Sequence, residues 1–282
     1  MGKVGVVGCG LMGAGIAQVA AVAGYSVVVR EVNDELLAKG LGRIEDFLAG
    51  SVRKGKLEAA RQAEIMARLQ GTTKLDDLAG CEIIVEAVTE NMPLKQQTFK
   101  ALDAVAKPEA LLASNTSTLC IIDIAVATQR PERVVGLHFF NPVPLMALVE
   151  VIRSIVTSDA TFQAAFDFAA SLGKQPVATV DKPGFIVNRL LVPYMIDAVR
   201  ALEEGIGSIE DIDKAMKLGC GYPMGPFTLL DLVGLDTAMY CAEALYEEFR
   251  ESRFAPPTLL RRMVRAGQLG RKTGKGFYTY TT

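Results

Sequence analysis

Two side chains in the middle of the chain have the types and the spacing needed for acid–base chemistry. His138 is the only histidine among the 282 residues and lies near the end of an apolar, strand-like run, residues 134–140. An unperturbed imidazole titrates near neutrality, so it can give or take a proton without heavy tuning. Glu150 lies within the next apolar run, where a carboxylate costs stability unless it is paired. We predict that His138 and Glu150 pair across adjacent strands.

Further polar residues follow the strand-like runs that precede His138. The run 81–87 contains Glu86 and is followed by Glu90, and Pro93 then begins a helix that carries Lys95. The run that begins at Leu111 ends in a polar loop that contains Asn115 and Ser117. In open α/β sheets, ligands bind beyond the carboxyl ends of the strands. We therefore expect these loops to surround a substrate.

The elements that must position these residues begin with a nucleotide-binding pattern at the N-terminus. A short β-branched strand, Val4–Val7, leads into a G-x-G-x-x-G turn formed by Gly8, Gly10 and Gly13, and an apolar helix and a second strand follow. In this setting the glycines allow a tight turn, close approach of a pyrophosphate and close helix–strand packing. The start of the helix, which includes Leu11 and Met12, presents N–H groups to phosphates.

The end of the second strand bears on the choice between NAD and NADP. Glu31 is placed to accept hydrogen bonds from the adenosine ribose, and its charge repels a 2′-phosphate, which favours NAD. Arg30 leaves NADP open, because a neighbouring arginine can pair with that phosphate. We expect NAD as the cofactor and no metal.

A helical hairpin is predicted between Asn33 and about Gly71. Apolar residues recur at helical spacing on both sides of Gly55, and we include Leu69 in the second helix. Arg53, Lys54 and Lys56 lie at the junction. They are either a site for the phosphates of a large substrate or a solvated helix end.

The chain divides near the break at Asp181–Gly184. We predict an α/β domain, residues 1–182, with a mostly parallel Rossmann-type sheet and the inserted hairpin, followed by an all-α domain, residues 183–282. In the second domain we expect helices over residues 186–203, 209–218, 228–249 and 259–264. Leu229, Leu232 and Leu235 suit either its core or a dimer interface.

Composition limits the function classes. Lysine and arginine number 30 against 32 aspartate and glutamate, which disfavours a general nucleic-acid binder. The five cysteines are far apart, without the paired spacing of zinc sites or disulfide frameworks. No signal peptide or 18-residue apolar stretch is evident. We expect a cytoplasmic protein that binds neither nucleic acid nor membrane.

Together these motifs resemble the 3-hydroxyacyl-CoA dehydrogenases, most of all the bacterial 3-hydroxybutyryl-CoA dehydrogenases. The resemblance extends over the whole chain. The segments that carry it are residues 8–13, 114–117 and 138–142, Glu150, and residues 183–189, 211–219, 223–226 and 270–278.

The resemblance implies a function and a role for each site residue. The implied reaction interconverts 3-hydroxyacyl-CoA and 3-oxoacyl-CoA by hydride transfer, and the implied assembly is a homodimer. His138 would be the base, Glu150 would orient it, and Ser117 and Asn188 would bond the reacting oxygen. The implied cofactor contacts are Gly8, Gly10, Leu11, Met12, Gly13, Glu31, Glu90, Lys95 and Asn115, and the implied substrate contacts are Lys54, Ser117, Asn141 and Asn188.

Other enzymes and a non-catalytic protein on the same scaffold are the competing interpretations. Dehydrogenases similar to 3-hydroxyisobutyrate dehydrogenase use a catalytic lysine and UDP-sugar dehydrogenases use a cysteine, so the pair of His138 and Glu150 argues against both. A free-acid dehydrogenase such as L-gulonate 3-dehydrogenase shares more of the pattern. A lens-crystallin-like protein shares the fold, but it would not need the set Ser117, His138, Glu150 and Asn188.

Overall fold

The protein is described here by a computed structural model that covers residues 2–280, and its contacts divide the chain into two compact units, Met1–Asp181 and Lys182–Thr282. Among the described residues, no helix has the length and apolar character needed to cross a bilayer. The first unit carries every strand that the structure describes, and the second is helical.

An eight-stranded sheet forms the first unit, in the order β3-β2-β1-β4-β5-β6-β7-β8. All neighbouring strands are parallel except β6 and β7, which pair antiparallel. The central strands are buried on both faces, as their apolar runs require. The strands are β1 (Lys3–Val7), β2 (Ser26–Arg30), β3 (Leu69–Thr72), β4 (Ile83–Glu86), β5 (Leu111–Ser114), β6 (Val134–Phe139), β7 (Leu148–Arg153) and β8 (Gln175–Val180).

Helices cover both faces of this sheet. The predicted hairpin is present, because α2 and α3 pack against each other and are joined by residues 54–58. Short 3-10 turns lie at Leu75–Leu78 and Pro131–Arg133. The helices are α1 (Leu11–Ala23), α2 (Asp34–Arg53), α3 (Ala59–Ala67), α4 (Met92–Val105), α5 (Ile121–Ala125) and α6 (Asp159–Ser171).

The second unit has its own apolar core, built mainly from α7, α9 and α10. Two buried carboxylates tie its loops to its helices. Asp213 accepts from the Phe227 and Thr228 N–H groups at the start of α9, at 2.7 and 3.0 Å, and Asp231 accepts from the Phe277 and Tyr278 N–H groups, both at 2.9 Å. The helices are α7 (Val187–Glu203), α8 (Ile209–Cys220), α9 (Pro226–Val233), α10 (Leu235–Phe249) and α11 (Thr258–Arg265), with 3-10 turns at Ser252–Phe254 and Arg271–Thr273.

The fold class predicted from the sequence is confirmed, with two corrections to its elements. The continuous helix expected over residues 228–249 is wrong, because Gly234 adopts φ 100° and separates α9 from α10, and the Leu235 N–H donates to the Leu269 carbonyl instead. Leu69 does not belong to the second hairpin helix. It begins β3, an edge strand whose exposed Gln70 and Gly71 give no apolar signal.

Candidate active site at the carboxyl ends of the strands

His138 and Glu150 form a cross-strand pair. They lie directly opposite each other in the antiparallel register of β6 and β7, so the fold itself brings them together. The His138 Nδ1 lies 2.7 Å from the Glu150 Oε2, and both side chains are buried. The Phe140 ring lies against the imidazole, with centroids 4.4 Å apart.

This geometry assigns different jobs to the two ring nitrogens. With Nδ1 held at the carboxylate, proton exchange with a substrate falls to Nε2. A buried carboxylate at this distance stabilises positive charge on the ring, since few water molecules screen the attraction. It also holds the ring in one orientation. The pair can therefore take a proton and hold it.

The loop after β5 presents one partly exposed side chain. Ser114, Asn115, Thr116 and Thr118 are buried, whereas Ser117 is only partly covered. The side-chain Oδ1 of Asn115 accepts the N–H of Phe139, the residue after His138, at 2.9 Å. This hydrogen bond ties the loop to the strand that carries the histidine. Ser117 is thus the hydroxyl of this loop that can reach a ligand.

Glu90 anchors this loop from the next segment along the sheet edge. Its Oε1 accepts from the Thr116 hydroxyl at 2.6 Å and from the N–H groups of Ser117 and Thr118 at 2.8 and 3.2 Å. The Thr118 hydroxyl lies 3.4 Å from the same oxygen. The side chain is about a quarter exposed, at 26%. Glu90 is therefore both a structural acceptor and partly accessible.

Lys95 lies near the start of α4 and faces two carboxylates. Its side chain is completely covered, and its ammonium lies 2.7 Å from Glu86 Oε1, 3.4 Å from Glu90 Oε2 and 3.4 Å from the Val88 carbonyl. An ammonium has three protons, and these three acceptors match them. The three donors of the ammonium are turned toward these protein acceptors, and the contact of Lys95 with a cofactor that the resemblance implies stays a prediction.

Sequence reasoning missed Glu86 as a site residue. It is completely buried at the end of β4 and accepts from Lys95, from the Ser114 hydroxyl and from the Val88 N–H, each at 2.7 Å. The signal was available, since Glu86 ends an apolar strand in the same way that Glu150 interrupts one.

The glycine turn lies at the carboxyl end of β1. Gly8 has φ +91°, and a Cβ there would lie 2.7 Å from the Ala87 carbonyl. A Cβ at Gly13 would overlap the Gly8 carbonyl, so helix and turn meet in van der Waals contact. Gly10 has open space around it and is the N-cap of α1, whose first turn contains Leu11 and Met12 and no acidic residue. This helix start has the shape and the polarity of an anion site.

Glu31 is held in place beside this turn. Its two carboxylate oxygens accept from the N–H groups of Cys9 and Val32, at 2.9 and 2.7 Å. Burial, followed by the charge of Glu31, raises the pKa of the Cys9 thiol to about 11. The Arg43 guanidinium on α2 approaches the Cys9 carbonyl at 3.4 Å. The Nε of Arg30 is buried and has no partner among the described residues.

The remaining predicted site residues lie at the hairpin junction, just after β6 and in the second unit. Lys54 follows the end of α2, and it is exposed together with Arg53 and Lys56. Asn141 is exposed, two residues after β6. Asn188 lies in the second unit, in the first turn of α7.

Comparison with known proteins identifies two adjoining family matches. Residues 3–182 match the family described as "3-hydroxyacyl-CoA dehydrogenase, NAD binding domain", and residues 184–280 match "3-hydroxyacyl-CoA dehydrogenase, C-terminal domain". Between them the two matches span nearly the whole chain.

Individual relatives agree over the same length. The 3-hydroxybutyryl-CoA dehydrogenase of Bradyrhizobium diazoefficiens is 48% identical over 278 residues, which cover 99% of this chain and 95% of the relative. The crystal structure of Mycobacterium tuberculosis FadB2 superposes with a TM-score of 0.98 at 48% identity and covers 100% of this chain and 99% of that one. The (S)-3-hydroxybutyryl-CoA dehydrogenase PaaH1 of Ralstonia eutropha gives 0.96 at 45% identity, with 99% of each chain covered.

Proposed function

This chain belongs to the 3-hydroxyacyl-CoA dehydrogenase family, and from that premise we propose that it interconverts short-chain 3-hydroxyacyl-CoA and 3-oxoacyl-CoA. The preferred pair is 3-hydroxybutyryl-CoA and acetoacetyl-CoA, as the names of its relatives suggest. The observation that carries the proposal is the buried pair of His138 Nδ1 and Glu150 Oε2, 2.7 Å apart. That pair supplies the proton transfer that oxidation of a secondary alcohol requires.

His138 acts as the base in oxidation and as the acid in reduction. In oxidation its Nε2 takes the proton of the C3 hydroxyl while C3 releases a hydride, and in reduction it returns that proton to the new alkoxide. Glu150 orients the ring and balances the charge that the ring gains. When bound, the nicotinamide ring accepts the hydride or returns it.

Ser117 and Asn188 hydrogen-bond the reacting oxygen in this proposal. Such donors favour the developing alkoxide or polarise the ketone, and each is typically worth about 2–4 kcal/mol of transition-state stabilisation. Ser117 suits the role because it is the partly exposed member of an otherwise buried loop. Asn188 is assigned by its match to the family motif in residues 183–189.

The cofactor-binding residues are those of the glycine turn and the neighbouring strand ends. Open space at Gly10 and a helix start without an acidic residue fit a diphosphate, which Gly8, Gly10, Leu11, Met12 and Gly13 would hold. Glu31, Glu90, Lys95 and Asn115 complete the proposed set. We assign NAD rather than NADP, because two N–H groups fix the Glu31 carboxylate beside the glycine turn and its negative charge would repel a 2′-phosphate.

The exposed cations at the hairpin tip are assigned to the substrate. Lys54, with Arg53 and Lys56 beside it, offers positive charge to the phosphates of coenzyme A. Asn141, exposed after β6, is the second substrate contact on this unit.

We assign a cytoplasmic homodimer that associates through the helical unit. Leu235 is completely buried and Leu229 packs against the core, whereas Leu232 keeps 49% of its surface exposed. Of the three leucines, Leu232 is thus the one available to a second copy.

The function is tested by following NADH absorbance with acetoacetyl-CoA, with parallel arms that contain NADPH or free acetoacetate. We expect rapid NADH oxidation with acetoacetyl-CoA, slower oxidation of NADPH and little with the free acid. Longer 3-oxoacyl-CoA substrates should give lower kcat/KM. Folded protein that oxidises neither cofactor with acetoacetyl-CoA would overturn the proposal, and preference for the free acid would move the chain to another substrate class.

A further inference from the structure

We propose that Lys95 is a positioning residue for Ser117: it holds Glu90, and Glu90 holds the loop that presents the serine. This inference rests on the proposed function, in which Ser117 hydrogen-bonds the reacting oxygen. It is separate from the predicted contact of Lys95 with the cofactor, and it rests on the fully covered position of the side chain.

Lys95 is held in a fixed position. It lies one turn into α4, a helix whose start is set by the Asn91 side chain, which accepts the Leu94 N–H at 3.0 Å. Its ammonium binds Glu86 at 2.7 Å, and Glu86 is itself bound to Ser114 and to the Val88 N–H. Glu86 and Ser114 are the last residues of the neighbouring strands β4 and β5, so the sheet fixes the position of the cation.

The two oxygens of the Glu90 carboxylate have different partners. Oε2 lies 3.4 Å from the Lys95 ammonium, while Oε1 faces the donors of residues 116–118. A carboxylate with a cation on one oxygen and N–H and O–H donors on the other has a single favoured orientation. Removal of the cation frees the carboxylate to turn toward water, since it is partly exposed.

The position of Ser117 depends on the orientation of the Glu90 carboxylate. Its own N–H donates to Glu90 at 2.8 Å, so the carboxylate fixes the backbone from which the hydroxyl projects. A donor to a developing oxyanion must be placed within a fraction of an ångström, and a misplacement of 1 Å can cost about 100-fold in rate. Lys95 therefore acts on the reaction indirectly, through the two carboxylate oxygens of Glu90 and the backbone N–H of Ser117.

The kinetic test is a double-mutant cycle with Lys95→Met and Ser117→Ala, followed by NADH oxidation with acetoacetyl-CoA. We expect Lys95→Met to lower kcat about 10- to 100-fold with KM changed much less. In the Ser117→Ala background the same change should have little further effect, because the group it positions is gone. An equal fall of kcat in both backgrounds would overturn the proposal, as would a raised Kd for NADH with kcat unchanged.

A second readout does not depend on activity. Hydrogen exchange of the peptide that covers residues 115–119 should become at least about tenfold faster in Lys95→Met. Lys100→Met, an exposed lysine on the same helix, is the control and should leave exchange and kcat unchanged. Unchanged exchange in Lys95→Met contradicts the link to the loop even if the enzyme proves inactive, whereas an inactive wild-type protein contradicts the proposed function alone.

Lys95→Met leaves Glu86 buried without its cation, so a charge-matched variant guards against misfolding. Glu86→Gln/Lys95→Met removes both buried charges and takes the Lys95 ammonium away from Glu90. It should reproduce both the faster loop exchange and the non-additivity with Ser117→Ala. Wild-type exchange in this double variant would also overturn the proposal.

Discussion

Two buried glutamates, Glu86 and Glu150, have different roles because their partners differ. Glu150 faces an imidazole, whose second ring nitrogen can exchange a proton with a substrate, so their pair can take part in proton transfer. Glu86 faces an ammonium whose donors point at protein acceptors, so that pair has a structural role. The partner, rather than the carboxylate, separates chemistry from positioning.

At the same scale, Glu31 should govern the choice of cofactor. Glu31→Ala removes the charge that opposes a 2′-phosphate while Arg30 stays beside it, so the ratio of kcat/KM for NADH to that for NADPH should fall at least about tenfold. Steady-state kinetics with both cofactors measure this ratio.

The matched control for this change is Glu35→Gln, an exposed acid in the first turn of α2. It should leave the ratio near that of the wild type. An unchanged ratio in Glu31→Ala would show that another group discriminates between the cofactors.

At the scale of elements, the sequence predicts what local patterns can encode. The pair of His138 and Glu150 was predictable because its strands are consecutive, so each side chain's position follows from a short connection. The two edge strands of the sheet, in contrast, were not predictable from the sequence. β3 and β8 are edge strands with exposed residues, so they lack the apolar runs of β5 and β6.

The contacts of Lys95 were also out of reach of sequence patterns. Its partners come from β4, from the segment that follows it and, through Glu86, from β5, and only the folded sheet brings these together. Likewise, Gly234 ends α9 through a backbone angle that apolar periodicity does not record.

Helix α2 supplies a prediction at this scale, because two of its glycines differ only in their surroundings. A Cβ at Gly40 would overlap the sulfur and carbonyl oxygen of Cys9 in the glycine turn, whereas Gly42 has nothing within 4 Å of that position. Gly40→Ala should lower the free energy of unfolding by about 1–3 kcal/mol and weaken NADH binding, since α2 must move off the turn.

Gly42→Ala is the matched control on the same helix. It should raise the free energy of unfolding by roughly 0.5–1 kcal/mol, because alanine is the better helix former. Urea unfolding and NADH titration measure both variants. Equal effects of the two substitutions would contradict the close packing of α2 on the turn.

At the scale of the whole molecule, each of the two units has its own apolar core. The first unit holds the histidine pair and the glycine turn, and the second carries Asn188 in its first helix and the exposed Leu232.

Leu232→Lys should shift the proposed dimer to a monomer. A charge placed in an apolar interface is left without a partner when the copies associate, so association weakens. Size-exclusion chromatography with light scattering measures the mass against concentration. Lys217→Met, an exposed position on α8, serves as the control, and a Leu232→Lys protein that remains dimeric would exclude this leucine from the interface.

In the proposed reaction, His138 moves the proton that accompanies hydride transfer. The most direct measurement compares His138→Gln with the wild type by NADH oxidation with acetoacetyl-CoA, alongside NADH binding by fluorescence titration. We predict a fall in kcat of about 10²- to 10⁴-fold, the usual contribution of a general acid–base group, with a Kd for NADH within about twofold of the wild type. A kcat near that of the wild type in the folded variant would contradict the account.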